Sequence, residues 1–167
     1  MNWRRWALPI VSVAVLVVLN GMIWQKERLI DSGQTMYLKL APVDPRSLIQ
    51  GDYMRLSYAM ADKIGEARAE RQTSGRVVVR LDDRKVAEFV RVYRGGELGD
   101  GERLLRWKYR SRIAIGANAY YFEEGQAEAF ESADYGEVVV APNGATVLVG
   151  LRDAKLRRLG PSSAAEE

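Results

Sequence analysis

Met36-Tyr37-Leu38-Lys39-Leu40, a loop Ala41-Pro42-Val43-Asp44-Pro45-Arg46-Ser47-Leu48-Ile49-Gln50, and then Gly51-Asp52-Tyr53-Met54-Arg55-Leu56-Ser57-Tyr58 form the stretch whose reading decides the fold. Met36, Leu38 and Leu40 alternate with Tyr37 and Lys39, the period-two pattern of a half-buried strand. Pro42 and Pro45 stop regular pairing, because neither has an N–H to give to a ladder. Beyond Gly51, Met54, Leu56 and Tyr58 alternate down a second strand. Tyr53 and Leu56 are an odd interval apart, so a regular strand points them to opposite faces, while Tyr58 shares the face of Leu56. The expected arrangement has Leu56 and Tyr58 facing the core and Tyr53 packed under the proline loop.

The rest of the chain continues this rhythm. Met60, Ile64 and Ala67 recur at helical spacing with charges between them, and Thr73-Ser74-Gly75 ends that helix. Residues 76–81 and 86–93 are β-rich runs joined by Asp82-Asp83-Arg84-Lys85, a hairpin loop. Gly95-Gly96 and Gly99-Asp100-Gly101 bracket a further loop. Leu105, Trp107 and Tyr109 alternate with Arg106, Lys108 and Arg110, the pattern of another half-buried strand. Residues 119–122 form a short aromatic strand, and residues 126–133 read as a helix stopped by Gly136. Residues 137–141 and 146–151 pair around Asn143-Gly144, a strong hairpin signal. The expected fold class is α+β: an N-terminal transmembrane helix, then a mainly antiparallel β domain with two short helices.

The transmembrane helix is read from the N-terminus. Residues 7–24 carry no charge and are rich in Val, Leu and Ile. Eighteen helical residues at ~1.5 Å each span about 27 Å, close to a hydrocarbon core. Trp3, Trp6 and Trp24 flank the run, where indoles favour the membrane interface. The exit Met22-Ile23-Trp24 lacks the small residues a signal peptidase needs, so the segment reads as an uncleaved signal anchor. Arg4 and Arg5 precede it and Lys26 and Arg28 follow, nearly a tie for the positive-inside rule. The free, short N-terminus decides for N-inside. The expected organisation is a cytoplasmic stretch 1–6, an anchor 7–24, a juxtamembrane linker 25–35, an extracytoplasmic domain 36–157 and a disordered tail 158–167. That places the protein in the inner (cytoplasmic) membrane, single-pass, with its domain in the periplasm or outside.

Composition narrows the chemistry. The chain has 167 residues, 47% hydrophobic and 28% charged, with a formal net charge of +3. Past residue 24 the balance is 23 basic against 22 acidic side chains, so it does not look like a nucleic-acid binder. Cysteine and histidine are both absent. There is thus no thiolate metal site, and the usual general base and commonest metal ligand are missing. No metal, cofactor or known small-molecule ligand is implied.

Residues 51–58 spell G-D-Y-x-x-L-x-Y in full and closely resemble the signature of the GDYXXLXY family of bacterial membrane-anchored proteins. The resemblance runs from about Met36 to Leu156. It takes in Asn118-Ala119-Tyr120-Tyr121-Phe122-Glu123-Glu124-Gly125, Tyr135-Gly136-Glu137-Val138 and Leu148-Val149-Gly150-Leu151-Arg152. It implies a polytopic membrane protein as partner and supplies no catalytic residues, because the family has no established activity.

The signature residues Pro42, Asp44, Pro45, Arg46, Gly51, Asp52, Tyr53, Leu56 and Tyr58 read as structural. Gly51-Asp52 between a proline loop and a strand is ordinary turn chemistry, with Arg46 or Arg55 available to pair with Asp52 or Asp44. Ser47 raises an enzyme reading. Signal peptidases and their relatives place a serine near a proline and a Gly-Asp strand after a membrane anchor, and use a lysine base. Here Ser47 follows Pro45 instead of preceding it. Lys63 and Lys85 lie in charged surroundings, whereas such a dyad needs a desolvated lysine. Asp82-Asp83 and Glu123-Glu124 are neighbours that face opposite ways on a strand, and Gly99-Asp100-Gly101-Glu102 lacks a full calcium-loop pattern. Arg106, Lys108 and Arg110, with Arg91, form a basic stripe suited to anionic headgroups or an acidic partner. The expected function is a non-enzymatic, membrane-anchored accessory module whose extracytoplasmic domain binds an integral membrane protein. The alternatives are a Ser/Lys hydrolase related to signal peptidases and a small-molecule sensor domain.

Overall fold

The structure, a computed structural model, describes residues 3–41 and 53–160; in the first helix it describes the side chains of residues 10–24. The chain is α+β and mostly antiparallel. The first helix, α1, is Trp3–Ser32. Among the described residues no helix is long and apolar enough to cross a membrane. Strand β1 (Gln34–Lys39) begins two residues after α1, so residues 25–35 are helix and strand, not an irregular linker. Lys26-Glu27-Arg28 end the apolar run but bring no Gly or Pro, so the helix continues past it to Ser32.

The next described elements are β2 (Tyr53–Arg55) and α2 (Met60–Ala67). Then follow β3 (Ser74–Leu81), β4 (Ala87–Val92), β5 (Glu102–Tyr109), β6 (Ile113–Ile115) and β7 (Ala119–Tyr121). A single 3-10 turn occupies Ala127–Phe130, where a longer helix over 126–133 was expected. The chain closes with β8 (Tyr135–Val140), β9 (Thr146–Arg152) and β10 (Arg158–Leu159). Strand β10 pairs with β9, so the expected disordered tail does not begin at residue 158.

Three sheets share one core. Their strand orders are β1-β8-β9-β10, β2-β7 and β4-β3-β5-β6. A parallel bridge from Tyr37 to Val86 joins the first sheet to the third, and a Leu40–Tyr58 bridge ties it to the signature strand. Met36, Leu38, Leu56, Ile64, Val77, Leu105, Trp107, Phe130, Val138 and Leu151 meet at the centre.

Three of the β-hairpins, β3–β4, β8–β9 and β9–β10, use one turn. At residues 82–86 the Lys85 N–H donates to the Asp82 carbonyl (2.9 Å) and the Asp82 N–H to Val86 (3.0 Å). Residues 153–157 repeat this with Leu156 N–H to Asp153 (2.9 Å) and Asp153 N–H to Arg157 (3.0 Å), and residues 141–145 repeat it with Gly144 N–H to Ala141 (2.8 Å). Each is a three-residue loop ending in a left-handed residue: Lys85 (φ 63°), Leu156 (φ 63°) and Gly144 (φ 84°). Asp82 and Asp153 stiffen the two glycine-free copies by accepting further N–H groups on their side chains, at 2.7–2.9 Å.

Candidate functional site

The described part of the signature is a structural junction. Leu56 and Tyr58 are 3% and 4% exposed, on the core side. The backbone around them ties three elements together: the Leu56 N–H donates to Asn118 (2.9 Å), Ala41 N–H to Ser57 (2.8 Å) and Ala59 N–H to Lys39 (3.0 Å). The Tyr58 hydroxyl donates to the Ala117 carbonyl at 3.1 Å. Its ring passes over Gly136, where a Cβ would lie 3.3 Å from both Tyr58 and Leu148. Burial pushes the Tyr58 phenol well above the ordinary tyrosine range, because a phenolate there would lose its hydration. Tyr53 is half-buried and packs against Tyr121, ring centroids 5.7 Å apart. Pro42, Asp44, Pro45, Arg46, Ser47, Gly51 and Asp52 lie outside the described residues.

Among the described residues three carboxylates are buried, and each has hydrogen-bond partners. Glu102 accepts from Arg91 (2.6 Å) and from the Gly99 N–H (2.9 Å), with Arg80 at 3.8 Å. The Arg91 hydrogen bond, then the Gly99 N–H, hold its carboxyl below the usual range. Glu137 takes a two-pronged contact from Arg152 (2.8 and 3.0 Å), whose guanidinium also donates to the Leu156 carbonyl (3.1 Å). At Asp153 burial favours the neutral acid, but the Arg157 N–H and guanidinium and the Lys155 N–H outweigh it and hold the carboxyl low. These contacts fix turns and strand pairs. Among the described residues no group of acidic side chains could hold a metal ion.

The basic stripe is laid out by strand register. Arg106 faces Arg76 and Lys108 faces Ser74 across the β3–β5 ladder. Arg76 is thus a stripe member that reading one strand at a time misses; only the pairing reveals it. Arg91 shares that face, opposite Val78, but is engaged by Glu102. Arg110 lies past the end of β5. Arg106 and Lys108 are exposed, and among the described residues no carboxylate is within ion-pair distance of either. Lys63 and Lys85 are both exposed, as is every other lysine whose side chain is described.

Beside the stripe runs an open groove. One part, about 470 Å³, is lined by Ala119, Tyr120, Tyr121, Thr146, Val147 and Leu148. A second part, about 420 Å³, is lined by Arg106, Lys108, Ala114 and Gly116, and the two share Ala117 and Thr146.

Comparison with known families bears on all of this. The model of the family described as GDYXXLXY protein matches residues 15–151, which takes in the signature, the Tyr58–Gly136 contact and the groove. The chain belongs to the GDYXXLXY protein family. No curated protein and no solved structure matches it. The match begins within α1, so the family pattern takes in part of the helix as well as the β domain.

Proposed function

We propose that this GDYXXLXY protein is a non-enzymatic accessory module, anchored in the inner membrane by its N-terminal helix, whose extracytoplasmic domain binds an integral membrane protein. The observation that carries the proposal is the contrast between helix and domain. On α1 the side chains from Ile10 to Trp24 include eleven large hydrophobics that are each at least half exposed, on every side of the helix. Such a surface calls for lipid or other helices around it. The described side chains, residues 10–24, cover only ~22 Å at ~1.5 Å per residue; the proposed span takes in residues 7–24, about 27 Å. Against that, the described part of the domain buries most of its large apolar side chains and pairs its buried carboxylates. The exposed lysines support the non-enzymatic reading, since a solvated lysine stays protonated and is a poor base for a serine.

Protease added to spheroplasts tests the anchor: the domain is digested and α1 is retained. Protection of the domain, or a mature N-terminus near residue 25, contradicts it. A serine-reactive fluorophosphonate tests the enzyme alternative, and labelling lost on Ser47→Ala would establish a nucleophile. Reversing Arg106, Lys108 and Arg110 together weakens docking, because opposed charges at an interface are lost. A triple variant that folds and keeps its partner at raised salt removes the basic stripe from the proposal.

A further inference from the structure

The groove between β7 and β9 has the features of a strand-addition site. Strand β9 pairs with β8 along its length, but β10 covers only Leu151 and Arg152 on the other side. Among the described residues no strand pairs with that edge at residues 146–148, and the Val149 carbonyl accepts from the Arg158 guanidinium (3.5 Å). The Ala141 N–H donates to the Ala145 carbonyl, so 141/145 is a hydrogen-bonded pair. By alternation, the N–H and C=O groups of Thr146 and Leu148 then point away from β8, toward the open edge. Facing them across the groove is β7, whose described pairing is with β2 alone. The lining is small and apolar at Ala117 and Ala119 and aromatic at Tyr120 and Tyr121. Tyr121 is 74% exposed and packs against Tyr53.

Charge fixes the occupant. At the end of the groove nearest the Asn143-Gly144 turn stand Arg106 and Lys108. Arg106 is held there by its own contact to the Asn143 carbonyl (3.1 Å), and the β5 backbone meets the turn through Arg106 N–H to Gly144 (2.9 Å). A strand laid along β9 therefore passes from an apolar trough into two cations that, among the described residues, have no carboxylate within ion-pair distance. Exposed β edges of this kind take extended peptides by main-chain hydrogen bonds, with pockets for alternate side chains supplying selectivity.

We infer that this groove binds an extended segment of a partner polypeptide as an added strand on β9, with apolar side chains at alternate positions over Ala117, Ala119 and Leu148 and acidic residues beside Arg106 and Lys108. The inference rests on the accessory-module reading and names the surface that such a module uses.

The test places a photocrosslinking benzoylphenylalanine at Val147 or Tyr121 of the full chain in its native membranes, with Asp83 as a position outside the groove. The expected result is one polypeptide captured from both groove positions and not from Asp83, with the crosslinked peptide carrying acidic residues next to an alternating apolar run. Arg106→Glu with Lys108→Glu lowers capture by about tenfold or more. Thr146→Pro, which removes an outward N–H, lowers it similarly. Because the proline variant can fail to fold, Leu148 N–H exchange in the presence of the partner serves as a second readout: it slows on binding. Capture of this same chain, of lipid alone, or of a partner indifferent to both variants overturns the inference. Capture that rises only when residues 161–167 are deleted overturns the commitment to an outside partner. A membrane protein that co-purifies while the groove variants leave it bound defeats the groove and spares the module, whereas no co-purifying protein at all defeats the module itself.

Discussion

Replacing Tyr58 with Phe removes one hydroxyl and tests whether the signature acts as a structural junction. The hydroxyl donates to the Ala117 carbonyl at 3.1 Å from a side chain that is 4% exposed. Losing it leaves a carbonyl without that donor, a cost of about 1 kcal/mol. Tyr58→Ala also empties the space over Gly136, and the loss then grows to about 3–5 kcal/mol. A second signature of the buried phenol is its pH dependence. An unfolded tyrosine titrates near pH 10, to the order given by model peptides, while burial raises the folded value. The folded state keeps its proton longer, so the stabilisation is fully present below pH 10 and is lost as pH rises toward the folded value. The slope approaches about 1.4 kcal/mol per pH unit for one group. Urea unfolding of the full chain in detergent, followed by near-UV circular dichroism between pH 7 and pH 11, measures both effects. Tyr58→Phe is expected to be less stable at neutral pH and to fall less steeply in alkali than the wild type. Equal stability at pH 7 with an unchanged alkaline slope would refute the reasoning.

Other perturbations follow from the same geometry. Gly144→Ala sets a Cβ 3.2 Å from three β5 backbone atoms at a φ of 84°, and is expected to cost about 2 kcal/mol or more in urea unfolding. Lys85→Gly relieves a left-handed lysine at the same turn position; removing that strain outweighs the added chain entropy, for a net gain of about 0.5 kcal/mol. A loss of stability there would show that the turn is held by something other than its backbone conformation. Glu137→Gln breaks the two-pronged contact with Arg152 and is expected to cost about 2 kcal/mol by the same assay. Glu102 and Asp153 both have lowered carboxyl values, so their stabilisation is present above the ordinary carboxylate range and disappears as pH falls through the folded values. Acid unfolding of Glu102→Gln is therefore expected to depend less on pH than that of the wild type.

Local patterns made much of the domain legible, and long-range pairing accounts for what they missed. Alternation found β1 and β5, β-rich runs found β3 and β4, and Asn143-Gly144 marked the β8–β9 hairpin. The short β10 went unseen because its turn hides its left-handed position under Leu156 instead of a glycine. The expected helix over 126–133 is one 3-10 turn; Ala127 and Phe130, three residues apart, share a face in either helix, so their spacing does not distinguish the two. Phe130 is then fixed by Tyr120 and Phe122, at 5.2 and 5.1 Å between ring centroids. Tyr58 over Gly136 and Arg76 beside Arg106 join residues far apart in the chain, which no local period encodes. The groove depends on which edge of β9 stays unpaired, a property of the assembled sheet alone.

Affinity purification of the full chain from gently solubilised membranes tests the central proposal most directly. One integral membrane protein in fixed ratio to the chain, retained equally by the wild type and by Ser47→Ala, is the predicted outcome. A chain that purifies alone from intact membranes and hydrolyses a peptide or ester until Ser47 is replaced would contradict it.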